Sequence, residues 1–159
     1  MTAAKDTESG DGAPLGPVVF AYDGSELSKL AIDEAARQLG PGRDAVVLTV
    51  WQPFNVGFVP TVALRLNAAE IADVRRAAQE TAADGASLAK AAGFNARGAE
   101  IEFGPTWKGI VHVAEEHDAS LIVLGSHGRA GLAGVLLGSV AEAVAAHSRR
   151  SVLIVHRSG

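Results

Sequence analysis

Five short apolar runs divide this chain, and each interval between them carries residues at helical spacing. Val18, Val19, Phe20 and Ala21 form the first run, ended by Asp23 and Gly24, which is the pattern of a buried strand stopped by a turn. Ser25 is a good N-cap, and Leu27, Leu30, Ala31, Ile32, Ala35 and Leu39 then recur on one helical face until Gly40, Pro41 and Gly42 stop it. Residues 45–51 give a second strand, followed by a loop rich in Pro, Phe and Val. An Ala-rich helix is predicted over about 63–92, with Gly93 closing it. Ala99, Ile101 and Phe103 alternate with glutamates, which predicts a third strand toward a sheet edge. A helix over about 106–117, a strand at 121–124 closed by Gly125, a helix at 139–147 and a strand at 152–155 complete the order βαβαβαβαβ.

Alternation of this kind requires a parallel sheet with right-handed crossovers, hence a doubly wound α/β fold with helices on both faces of five strands. In such sheets ligands bind beyond the carboxyl ends of the strands, where the strand order reverses. With the order 3-2-1-4-5, that crevice lies between strands one and four. It brings Tyr22, Asp23 and Gly24 toward Gly125, Ser126, His127 and Gly128, although about a hundred residues separate the two segments.

Composition narrows the class further. A chain of 159 residues suits a single core, expected at 17–159, with the small and polar residues 1–16 as a flexible tail. A net charge of −4 argues against a clustered positive field for nucleic acid or a membrane surface. The chain has no cysteine, which excludes disulfides, thiolate nucleophiles and Cys-ligated zinc. No leader-like apolar run opens it, and the stretch 131–146 is too short and too polar to span a bilayer, so the expected location is cytoplasmic.

The chemistry is concentrated at 125–139. Gly125-Ser-His-Gly128 is followed nine residues later by Gly138-Ser139, at the start of a helix. Glycines let main chain approach a ligand closely, successive N–H groups can form an anion nest, and a helix N-terminus favours phosphate. A plainer reading stands beside it. Ser139-Val-Ala-Glu142 fits the S-x-x-E capping box, so Ser139 would only cap its helix, and Asp23 would only cap its own turn.

Other sites are weaker. There is no Walker A loop and no G-x-G-x-x-G after the first strand. His112, His117, His127, His147 and His156 show no metal-ligand spacing, and Ser126 beside His127 lacks the G-x-S-x-G elbow of an acyl-transfer nucleophile. Arg129 lies inside the loop, where it can reach a phosphate, close over the site or simply face solvent. Phe54, Val56, Phe58 and Val59 make an unusually apolar connection that would cover a base, meet a partner or bury against its own domain.

The spacing G-x2-G-x9-G-[S/T], met here by Gly125, Gly128, Gly138 and Ser139, resembles the nucleotide-binding signature of the universal stress protein family, ATP-binding branch. VVFAYDGSELSKLAI looks like that family's first strand and helix, and DASLIVLGSHGRAGLAGVLLGSVAEAV like its fourth strand, loop and helix; the similarity covers about residues 17–156. The resemblance implies a five-stranded α/β sandwich that binds ATP or another adenine nucleotide. It implies that Ala21 and Val50 contact adenine beside Tyr22, and that Asp23 accepts from the ribose hydroxyls or helps to hold Mg or Mn. Gly125, Ser126, His127, Gly128 and Arg129 would line the site, with Gly138, Ser139 and Val140 on the phosphates. The family often has Pro where this chain has Ser151 before the last apolar run, a departure that touches the local turn more than the loop.

The expected function is a nucleotide-binding stress or signalling protein acting through conformation or partner contacts. Slow metal-dependent ATP hydrolysis and AMP or cyclic AMP binding are the alternatives, with no dedicated catalytic residue. The short, apolar fifth strand, expected at an edge, predicts a homodimer, in line with the family's usual dimer.

Overall fold

The computed structural model describes residues 13–53, 67–128 and 137–157. Among these residues, nine elements appear in the expected order: β1 (Val18–Ala21), α1 (Glu26–Leu39), β2 (Asp44–Trp51), α2 (Ala68–Ala91), β3 (Asn95–Glu102), α3 (Thr106–Glu116), β4 (Leu121–Gly125), α4 (Ser139–His147) and β5 (Ser151–Val155). The five strands form one sheet in the order β3-β2-β1-β4-β5, and every pairing is parallel.

β1 can be apolar at consecutive positions because helices cover both faces of the sheet. Val18, Phe20 and Tyr22 point to the side of α1 and α2, where they pack with Ile32, Val47 and Phe94. Val19 points the other way, into a second core with Leu48, Ile110, Val113, Ile122 and Val144 beneath α3 and α4. Full burial of each such side chain is worth roughly 1.5–3 kcal/mol, so the central strand is anchored from two directions.

Two boundaries and one helix cap differ from the sequence reading by more than a residue or in kind. α2 starts at Ala68, because Asn67 and Glu70 form a capping box: Asn67 Oδ1 accepts from Glu70 N at 3.0 Å, and Glu70 Oε2 accepts from Asn67 N at 2.7 Å. Residues 63–66, part of the helix expected there, lie outside the described residues, as does the apolar connection of Phe54, Val56, Phe58 and Val59.

β3 starts at Asn95, earlier than Ala99, and ends before Phe103. It pairs with β2 along eight residues, from Asp44↔Asn95 to Trp51↔Glu102. Arg97 and Gly98 hid its first half. Gly98 is there because the main chain of α2 lies directly on the strand: a Cβ at Gly98 would stand 2.9 Å from the Ala82 carbonyl.

The third difference concerns α4. Gly138, not Ser139, occupies the N-cap position, and its carbonyl accepts from Glu142 N at 2.9 Å. Ser139 is therefore the first residue of the helix and is exposed, and its side chain makes no capping bond. The S-x-x-E spacing fails here because a capping serine must stand one residue before the helix.

Candidate functional site

Two corners meet at the carboxyl ends of β1 and β4. The first begins where β1 leaves the sheet. Tyr22 N donates to Leu48 O at 2.9 Å, and the Tyr22 carbonyl accepts from Thr49 Oγ1, also at 2.9 Å. Asp23 Oδ1 accepts from Ser25 N at 2.9 Å, closing a turn through Gly24, whose φ of 78° suits glycine. Ser25 then caps α1, its hydroxyl accepting from Ser28 N at 3.2 Å while Ser28 Oγ donates back to Ser25 O at 2.8 Å.

The second corner is built from main chain packed against main chain. Ser126 is buried; its N–H donates to Val155 O at 2.8 Å, and its carbonyl accepts from Gly138 N at 2.6 Å. That last bond brings the start of α4 back onto the exit of β4. A Cβ at Gly138 would lie 2.9 Å from Ser126 O and 3.5 Å from His127 Cα, and one at Gly125 would lie 2.8 Å from Leu27 Cγ at the start of α1. Ser126 Oγ and His127 Nδ1 are 2.9 Å apart.

The corners touch each other. A Cβ at Gly128 would stand 2.7 Å from Asp23 Oδ2, closer than real Cβ atoms approach a neighbour. One carboxylate oxygen therefore serves the turn, while the other faces the glycine loop. The reading of Asp23 as a turn cap and its reading as a crevice residue both describe this one side chain.

The remaining candidate residues divide by strand parity. Ala21 and Val50 are half-buried and pack against the core beneath α3 and α4, on the side to which α4 returns. Tyr22 points the opposite way. Its ring is buried against Gly85 of α2, where a Cβ would lie 2.7 Å from Tyr22 Cδ1, and it helps to line a cleft of about 560 Å³ with Gly24, Lys29, Thr81, Asp84, Ser87 and Leu88. Burial pushes the Tyr22 phenol above its ordinary range, opposed by the nearby Lys29 ammonium. Tyr22 thus meets the crevice through its main chain alone.

Ser139 and Val140 occupy the first turn of α4, whose N–H groups and dipole favour an anion. Arg129 lies outside the described residues. Among the described residues, no group of three or more His, Asp or Glu is placed to hold a metal ion. Three histidines instead sit in surface contacts: His112 stacks on Phe103, His147 on Trp107, and His117 Nε2 lies 3.3 Å from Arg97. Thr49 escaped sequence reading. Its only signal is a hydroxyl at position 49 of an otherwise apolar run, 45–50.

Comparison with known proteins adds the family. The sequence model of the universal stress protein family matches residues 15–156. A universal stress protein of Mycobacterium bovis is 30% identical over 153 residues, covering 89% of this chain and 46% of that protein. The chain thus spans about half the length of the curated relatives it first matches. Among solved structures, a universal stress protein in complex with cAMP is 31% identical, with a TM-score of 0.56, covering 92% of this chain and all of that one. The hypothetical protein MJ0577 gives a TM-score of 0.71 at 22% identity, covering 91% of this chain and 97% of its own, a likeness of fold. The chain belongs to the universal stress protein family.

Proposed function

We propose that this chain binds an adenine nucleotide, ATP in the first reading, in the crevice between β1 and β4, and that occupancy sets its conformation or its contacts with partners. The observation that carries this reading is the meeting of the Asp23 carboxylate with the main chain of Gly128, 2.7 Å from where a Cβ would be. A carboxylate at that place suits ribose hydroxyls, which donate. The glycine-bearing loop and the N-terminus of α4 suit the phosphates, with Gly125, Ser126, His127 and Gly128 along the path and Gly138, Ser139 and Val140 at its end. Ala21 and Val50 offer apolar surface to the base. Arg129 belongs to the same proposal as a phosphate contact.

A second reading places a cyclic or simple adenosine monophosphate in this crevice, favoured by the similar protein solved in complex with cAMP. Any metal would be Mg or Mn shared between Asp23 and the phosphates, and any hydrolysis slow. Fast phosphoryl transfer needs a positioned water, a base and charge compensation together. We further take residues 17–159 as the binding domain after a tail at 1–16, acting in the cytoplasm. Among the described residues, no helix is long and apolar enough to cross a membrane. β5 stands at the sheet edge with an apolar sequence and suits pairing with a second copy.

The test is calorimetry with ATP and cyclic AMP on the wild type, Asp23→Ala and Gly128→Glu. Tight binding in the wild type, a fall of about tenfold or more in Asp23→Ala and loss of binding in Gly128→Glu are expected; equal affinities in all three would defeat the assignment. Mass spectrometry of nucleotide released from protein purified without added ligand decides between the two ligands.

A further inference from the structure

Asp23 lies beyond the end of β1, so no strand ladder fixes its main chain. What fixes the residue before it is β2. Tyr22 is held at both of its main-chain polar groups, by Leu48 O on its N–H and by the Thr49 hydroxyl on its carbonyl, each at 2.9 Å. Thr49 is buried, one of three buried polar residues among those described, with Ser28 and Ser126. A hydroxyl in that place is costly unless it is bonded, and its bond goes to the peptide that leads into Asp23. The strand ladder thus ends in a side-chain bond, made at the point where the chain turns toward the crevice.

We propose that Thr49 is a positioning residue for nucleotide selectivity: by holding the Tyr22 carbonyl it orients the Asp23 carboxylate toward the ribose. The inference rests on the nucleotide reading above and deepens it. The hydroxyl sets the plane of the Tyr22–Asp23 peptide, and with it the direction in which Asp23 leaves the main chain. Oδ1 then meets Ser25 N, and Oδ2 faces Gly128. Without the donor, the Tyr22 carbonyl is left inside the fold with one bond fewer, and the corner turns to find another. Phosphate contacts lie on the other corner and do not depend on this bond.

The experiment measures the affinity ratio between ATP and 2′,3′-dideoxy-ATP for the wild type, Thr49→Val, Thr49→Ser, Asp23→Ala and the Thr49→Val/Asp23→Ala double variant. Valine keeps the branched shape and strand preference of threonine while deleting the donor, and serine keeps the donor. The wild type is expected to prefer ATP by about tenfold or more, from charge-assisted bonds to the ribose hydroxyls. Thr49→Val should bring the ratio close to one with little change for the dideoxy nucleotide, Thr49→Ser should retain it, and Thr49→Val should add nothing in the Asp23→Ala background. A wild-type ratio preserved in Thr49→Val, or an equal loss of both nucleotides, overturns the proposal while leaving the site intact. A wild type that binds both nucleotides equally removes the ribose reading and the proposal together.

Discussion

The corner after β1 and the corner after β4 keep their shapes by opposite means. The first is held by directional bonds from side chains: Thr49 to the Tyr22 carbonyl, Asp23 to Ser25 N and Ser25 to Ser28 N. The second is held by the lack of side chains, with Gly125, Gly128 and Gly138 each placed where a Cβ would stand within 3 Å of another group. The difference teaches what each corner tolerates. At the β1 corner a change of polarity matters more than a change of size. At the β4 corner any added carbon matters, whatever its polarity.

The largest expected effect is therefore at Gly138. Gly138→Val sets a branched carbon against the main chain of Ser126, and overpacking of that kind costs about 1–3 kcal/mol of stability. Thermal unfolding should move down by several degrees, and calorimetric ATP affinity should fall by about tenfold or more as α4 is pushed from the β4 exit. A variant with wild-type melting and affinity would break the contrast between the corners. Asp23→Asn comes next. The amide oxygen still accepts from Ser25 N, so the turn survives and unfolding is little changed. Affinity should fall by roughly fivefold to tenfold, because a neutral acceptor bonds ribose hydroxyls more weakly than a charged one. A change in melting as large as that of Gly138→Val would show that the carboxylate is structural first.

The smallest effect on binding should come from Glu100→Gln, outside both corners. Burial works to raise the Glu100 carboxyl, but bonds from Trp51 Nε1 and Arg75 Nε outweigh it and hold the group below its ordinary 4.5. The sign follows: a depressed carboxyl stabilises the fold above the unfolded value and ceases to do so as pH falls through the folded one. Glu100→Gln should lower stability at neutral pH and flatten its loss on acidification below about pH 5, read by denaturant unfolding across pH. ATP affinity at neutral pH should stay within about twofold of wild type. A larger loss would mean that the β2 end is a third support of the site.

Much of this was legible in the sequence because it depends on period. The parallel sheet follows from alternating elements and, once the order 3-2-1-4-5 is supposed, the meeting of Asp23 with Gly128 follows from the rule for where such sheets bind ligands. Even the direction of Tyr22 was available from parity, since it lies two and four residues from Phe20 and Val18, which share its face. What escaped depended on single contacts. β3 looked short because Gly98 and Arg97 break its apolar alternation, and only the approach of α2 explains the glycine. Ser139 fitted a capping box that is one residue out of place, whereas Asn67 and Glu70 formed one that had not been read. A buried threonine bonded across strands carries no local signature, since its partner is 27 positions away.

The touch between Asp23 and Gly128 joins the first and last thirds of the chain across the whole sequence between them. On the proposed reading, neither end could hold a nucleotide alone. A polypeptide severed between β3 and α3 would leave the carboxylate in one fragment and the glycine loop in the other. Occupancy would then act as a non-covalent clasp, withdrawn whenever either end unravels, and nucleotide concentration would set how often the ends part.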